Sequence, residues 1–158
     1  ILPVRWNLAT AKPVLGTNPT EKLLTNGIRG SLKYSDFEWC SWADNDSVSF
    51  TIDLLKLEML NTLILGCITN NGMAIHKPAS VRVEVSDDNS KFREAVVQSF
   101  TSEEIFREGN FIENLSLKLG GTQARYVRVT AKGPGVCPAS HVRPGQTSRI
   151  FFDEVMLE

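Results

Sequence analysis

Long hydrophobic runs are missing from this chain. No apolar stretch approaches the ~20 residues a bilayer-spanning helix needs, which excludes a chain that crosses a membrane on helices. An excess of one charge is missing as well: 17 basic residues face 18 acidic ones, for a net charge of -1. Neither nucleic acid nor an anionic membrane has an electrostatic case as partner, and a neutral ligand fits more easily. Cysteine is scarce and odd in number, with Cys40, Cys67 and Cys137 in no C-x-x-C pair. Neither a disulfide framework nor a cysteine-based zinc site is signalled. The motifs of catalysis are absent too. There is no G-x-S-x-G elbow, no H-E-x-x-H and no phosphate loop. Internal repeats, low-complexity tracts and long amphipathic helices are lacking, as is a signal-peptide pattern. The chain begins at Ile1, so it is expected to be a fragment of something longer, with its compartment not directly readable.

What is present is ordinary for a globular domain: 158 residues, 42% hydrophobic and 22% charged, enough for one core and one domain over residues 1–158. The clearest strand signal lies in Ser47–Leu54. There Val48, Phe50, Ile52 and Leu54 share one face and Ser47, Ser49, Thr51 and Asp53 the other, the period-two pattern of a half-buried strand. Before it come turn chemistry at Asn26-Gly27 and Arg29-Gly30-Ser31 and an aromatic-rich loop carrying Tyr34, Phe37, Trp39 and Trp42.

The remaining elements are expected in order. Trp6–Ala9 is a short strand, followed by a loop through Pro13, Gly16 and Pro19 and a helical turn from Thr20 with Thr20 as its N-cap. Asn61–Ile68 reads as a strand covered on both faces. Ser80–Ser86 and Lys91–Gln98 read as a hairpin around Asp87–Ser90, and Thr101–Glu104 as a capping box. Leu115, Leu117 and Leu119 lie on a strand ended by Gly120-Gly121, after which Arg125–Ala131 and Ile150–Leu157 follow. About eight short strands without a long helix predict an all-β sandwich with antiparallel strands. Its function is then placed in the connections Gly30–Asp46, Thr69–Pro78 and Lys132–Ser148.

Several fragments in this order resemble the discoidin superfamily, also called the coagulation-factor C-type or galactose-binding-like domain, which includes the family-32 carbohydrate-binding modules. They are Asn7-Leu8-Ala9, Leu24–Gly27, Phe50–Leu54, Val81–Asp87 with Phe92, Ala124–Val129 and Asp153-Glu154-Val155. A narrower set is similar to the C-terminal domain of bacterial family 20 β-N-acetylhexosaminidases (chitobiases): Leu24–Ser31, then Tyr34, Asp36, Trp39 and Trp42, and Pro138 with His141 ahead of Phe151–Val155. The resemblance implies a jelly-roll β-sandwich of about eight antiparallel strands, non-catalytic and appended to a glycoside hydrolase outside the cytoplasm. It also implies a structural calcium ion, for which Asn26 and Ser31 offer side-chain oxygens, Leu23, Leu24 and Arg29 offer carbonyls, and Glu154 arrives from the last strand. Where the family usually carries aspartate this chain has Asn26. A tight turn at Asn26-Gly27 is the alternative reading.

Sugar binding needs an aromatic face flanked by polar groups. The candidate ligand-binding residues are Tyr34, Asp36, Trp39, Asn70, His76, His141 and Arg143, with Phe37, Glu38 and Asn71 beside them. The expected ligand is a glycan of galactose, N-acetylgalactosamine or N-acetylglucosamine type. Two readings stay open for Trp39, a platform or core packing, and two for His141, ligand contact or a brace for its loop. Neither histidine shows a metal-ligand partner at i+2 or i+4, which argues against zinc. Cys67, within an apolar run, reads as a small buried hydrophobe, while Cys40 and Cys137 pair only if the fold brings them together. Asp153 and Glu154, as strand neighbours, point to opposite faces unless a bulge intervenes. The rival reading is a docking domain that packs on the parent's catalytic domain without binding sugar. Membrane or protein adhesion ranks last.

Overall fold

The computed structural model describes residues 7–16, 18–42 and 47–158. It contains β1 (Val14–Leu15), β2 (Cys40–Trp42), β3 (Ser47–Asn70), β4 (Ser80–Ser86), β5 (Arg93–Ser99), one helical turn α1 (Ser102–Ile105), β6 (Asn110–Lys132) and β7 (Ile150–Leu157). Hydrogen bonding links the strands in the order β2-β7-β3-β6-β4-β5, with β1 on β3, and every pairing between strands is antiparallel.

Two strands carry the architecture. β3 and β6 pair along most of their length, but the register shifts between Asp53 and Glu58 and again between Leu60 and Thr62. Residues 47–53 of β3 pair with 126–132 of β6, whose outer neighbour is β4; residues 58–70 pair with 110–124 and, on the other edge, with β7. The ladder thus turns a corner, and the side chains of its two halves meet. Phe50, Ile52 and Leu54 from one half and Leu63, Leu65, Phe152 and Val155 from the other lie in a single buried cluster. This is a β-sandwich made by bending one hydrogen-bonded sheet. The corner uses left-handed backbone at Leu55 (φ 69°), Gly120 (φ 70°) and Gly121 (φ 74°). It is held by Asp53, which accepts the Leu55 amide at 2.8 Å and a two-pronged guanidinium contact from Arg125 at 2.8 and 2.9 Å.

Gly120-Gly121 therefore does not end a strand: both glycines sit inside β6, because a chain that must change direction while keeping its ladder needs positive φ there. For the same reason Ser47–Leu54 and Asn61–Ile68 belong to one strand. The expected strand at the start is instead a turn over 8–11, with the Leu8 amide bonded to the Leu157 carbonyl at 2.9 Å; Trp6 lies outside the described residues. The helical turn spans Pro19–Thr25 and is capped by Asn18, whose side chain accepts the Thr20 amide, so the cap precedes Thr20 by two residues. Cys40–Trp42, expected within a loop, is an edge strand on β7, where Trp42 stacks on Phe50 at 6.2 Å and meets Phe152 edge-on at 5.6 Å. The β4–β5 hairpin, the capping box at Thr101 and Glu104 and the last strand stand where the pattern puts them. All three cysteines are free and buried, so Cys40 and Cys137 do not pair.

Candidate functional site

The loops meet at the end of the sandwich where β3 leads into β4 and β6 into β7. The first of them, Asn26–Ser31, is fastened to β7 by adjacent carboxylates. Asp153 accepts the Arg29 side chain at 2.7 Å and the Gly30 amide at 2.9 Å, while Glu154 accepts the Gly27 amide at 3.1 Å. Alternation would send these neighbours to opposite faces. A bulge intervenes, because Leu65 pairs with Val155 but Cys67 pairs with Phe152, giving β7 one extra residue. Both carboxylates consequently reach the same turn. Burial pushes the Glu154 carboxyl up to about 7, opposed by its hydrogen bond from the Gly27 amide.

Of the residues expected to hold an ion, Glu154 is the one whose chemistry here fits a cation. It is 1% exposed, and among the described residues its oxygens accept uncharged N–H donors, from Gly27 and Asn7, with the Arg29 charge acting at longer range. The Asn26 carbonyl oxygen accepts the Ile28 amide and its amide nitrogen donates to Glu38. Ser31 is bound to Asp36 through both its amide and its hydroxyl, and the Arg29 side chain bridges Asp153 and Asn114. Leu24 is buried in the core, leaving only its main chain for such a role.

The aromatic loop folds inward. Trp39 is 6% exposed, donates its indole N–H to the Ser31 carbonyl at 2.9 Å and packs with Ile68, Ile75 and Phe151, so between the two readings the structure has core packing. Its indole lies so close to Gly30 that a Cβ there would overlap the ring. Tyr34 stands edge-on to Phe151 at 6.1 Å, and Asp36 pins the loop by accepting the Ser31 and Glu38 amides. Phe37, by contrast, is 92% exposed at the loop tip.

The second loop begins at Asn70, whose side chain caps the short turn Asn71–Met73 by accepting the Met73 amide. His76 on this loop is fully buried. Its Nε2 lies 2.9 Å from Nε2 of His141, which arrives from the third loop and is 8% exposed. Arg143 joins the same two loops by donating from Nε to the Gly72 carbonyl.

Between α1 and the third loop lies an open groove of about 460 Å³. Phe106 and Pro138 supply its apolar surface, and Asn71, Glu103, Arg107 and His141 its polar groups. Phe106 meets His76 edge-on at 5.1 Å and His141 at 6.2 Å, so the buried histidines set the position of the ring that the groove presents. Of the expected ligand-binding residues the fold brings His141 to this groove. Tyr34, Asp36, Trp39, Asn70, His76 and Arg143 are not among its lining residues. Phe106, Glu103 and Arg107 were not foreseen. The signal available for them is the capping box, which starts a turn that buries Ile105 and leaves its neighbours outward.

The chain is thus a bent β-sandwich with a polar groove, lined by Phe106, among its end loops. The chain belongs to the F5/8 type C domain family, whose family model matches residues 9–142. Its structural neighbours have the same fold over nearly the whole chain. CpGH89CBM32-4 of Clostridium perfringens, in complex with GlcNAc-α-1,4-galactose, is 15% identical with a TM-score of 0.57, covering 96% of this chain and 92% of its own. A Streptococcus pneumoniae fucose-binding module is 18% identical with a TM-score of 0.55 over 98% of both chains. The C-terminal domain of a chitobiase from Bacteroides fragilis is 19% identical with a TM-score of 0.52, covering 87% of this chain and 78% of its own. No curated protein sequence matches the chain. The fold is that of carbohydrate-binding modules.

Proposed function

We propose that the chain is a non-catalytic glycan-binding module and that the groove floored by Phe106 is its sugar site. The observation that carries this is the groove itself, a half-buried aromatic ring flanked by Asn71, Glu103, Arg107 and His141 at the loop end of this fold. An aromatic face packs on the apolar face of a pyranose while amide, carboxylate and guanidinium groups bond its hydroxyls. An open groove covers little of a sugar, so binding is weak. Isothermal titration with galactose, N-acetylgalactosamine, N-acetylglucosamine and chitobiose tests it. At least one should give a millimolar or tighter isotherm, and Phe106→Ala should weaken that isotherm by roughly tenfold or more, the loss of one stacking contact worth ~1.5 kcal/mol. No heat from any of the four at millimolar concentration would sink the proposal.

The likeness to a chitobiase C-terminal domain supports a finer reading, a module appended to a β-N-acetylhexosaminidase acting outside the cytoplasm. Galactose and N-acetylhexosamine ends are then the expected targets. Packing on a parent catalytic domain without binding sugar is the alternative, and the same titration separates the two.

A structural calcium ion at the Asn26–Ser31 turn belongs to this reading. Glu154 would hold it with main-chain carbonyls of the turn, the ion placing a positive charge directly on a buried carboxylate whose hydrogen bonds come from uncharged N–H groups. Thermal unfolding should shift upward by several degrees in millimolar calcium relative to chelator, and Glu154→Gln should abolish the shift. An equal shift in the variant would remove Glu154 from the site.

A further inference from the structure

We propose that His76, His141 and Cys137 form a binding site for a borderline-soft divalent metal ion of the zinc class. One ligand atom from each of the three residues lies within 4.8 Å of the other two, and all three residues are buried. In a tetrahedral zinc site, ligand atoms stand about 3.3 Å apart for two nitrogens and about 3.6 Å for nitrogen and sulfur, from bonds of 2.0–2.1 and 2.3 Å. Shifts on the order of 1 Å convert the observed cluster into that geometry. Two imidazoles and a thiol are the donor set that zinc, cobalt and copper prefer and that calcium and magnesium avoid.

The three residues sit on braced loops. Cys137 is fixed at both ends of its peptide unit, its amide bonded to the Gln146 carbonyl at 2.8 Å and its carbonyl to the Gly145 amide at 3.0 Å. Four residues later His141 completes a turn by donating its amide to the Pro138 carbonyl at 3.0 Å. His76 comes from the other loop, held by its amide on the Arg149 carbonyl at 3.1 Å.

A second observation concerns protons. Nδ1 of His141 accepts the Arg143 amide at 2.9 Å, so the neutral ring carries its proton on Nε2 and directs it to Nε2 of His76. The His76 proton then lies on Nδ1, a buried atom that completes no hydrogen bond of good geometry among the described residues. That tautomer is the one that offers Nε2 to a metal, and the main chain of Ile105 next to the ring, short of a full hydrogen bond to Nδ1, is the kind of acceptor that orients ligand histidines.

Binding replaces the Nε2–H···Nε2 contact with two metal–nitrogen bonds and forms a metal–sulfur bond as the Cys137 thiol releases its proton to solvent. The His141 proton moves to Nδ1, and the Arg143 amide gives up its bond there, which the exposed residues 142–147 can accommodate. Three protein ligands leave a fourth position for water. Because His141 also lines the groove, the metal would stand beneath its floor and fix the loops that shape it.

Cobalt provides the direct probe. Titrating reduced wild-type protein should give one equivalent of bound cobalt, a near-ultraviolet thiolate-to-cobalt band and bleaching when zinc is added. Cys137→Ser should lose the band, and His76→Gln and His141→Gln should each weaken binding by at least tenfold. A measurement on the wild type alone guards against unfolded variants. The chain has only two histidines, so zinc should shift the ring-nitrogen resonances of both in a long-range nitrogen–proton spectrum. No cobalt band at millimolar metal, a band that survives in Cys137→Ser, or ring nitrogens unchanged by zinc would each overturn the proposal.

Discussion

Replacing Asp153 with alanine is expected to lower the free energy of unfolding by about 3 kcal/mol, which for a domain of this size moves the melting temperature down by roughly 6–12 °C. Asp153 is fully buried. One oxygen accepts both the Arg29 side chain at 2.7 Å and the Gly30 amide at 2.9 Å, and the other has no hydrogen-bond partner among the described residues. Removing one member of a buried ion pair costs about 3–5 kcal/mol, because the remaining charge is stranded. The Arg29 side chain is 37% exposed and keeps its bond to Asn114, so water relieves part of that penalty and the lower end applies. The Gly30 amide adds its own loss, since it becomes a buried donor without an acceptor. The carboxylate also abuts Gly66, where a Cβ would overlap both it and the Arg29 guanidinium. Chemical denaturation of the variant checks the value; a loss below 1 kcal/mol would mean that the pair contributes only orientation to the turn.

Trp39→Ala is expected to cost about 3–5 kcal/mol, the range for deleting a buried aromatic ring, while leaving glycan affinity in the folded protein within about twofold of wild type. The stability loss follows from an indole buried among Ile68, Ile75 and Phe151 and tied to the Ser31 carbonyl. The unchanged affinity follows from its absence among the groove's lining residues. Equilibrium denaturation and titration on the same preparation read the two effects separately. A variant that stays as stable as wild type yet stops binding sugar would return Trp39 to the role of a platform and move the site to the aromatic loop, where Phe37 is the exposed ring.

Much of the fold is legible in the sequence. Alternation in Ser47–Leu54 and Ser80–Ser86 located buried faces, since a strand's period of two depends only on its own backbone. The Asp87–Ser90 turn and the Thr101 capping box were readable for the same reason, each being made of residues within a few positions of one another. β2 was hidden because three residues flanked by turn chemistry carry too little periodicity to register. The pairing that makes them a strand comes from β7, more than a hundred residues on.

The site divides along the same line. Residue types pointed to His141 and the third loop, and the resemblance of ordered fragments pointed to the family and, through it, to Glu154 near the Asn26–Ser31 turn. Whether an aromatic faces solvent or core is a property of what packs against it, and so the burial of Trp39 and the place of Phe106 in the groove were set only in three dimensions. The meeting of His76 with Cys137 and His141 was likewise beyond reach. A search forward from each histidine passes over Cys137, four residues before His141, and nothing local joins His76 to a partner 65 positions away. Local chemistry thus determined the strands, turns and caps of this protein. The corner in β3 and β6, the bulge that turns Asp153 and Glu154 toward one loop, and the joining of the end loops into a groove were decided by tertiary packing, because each depends on distant residues competing for the same buried space.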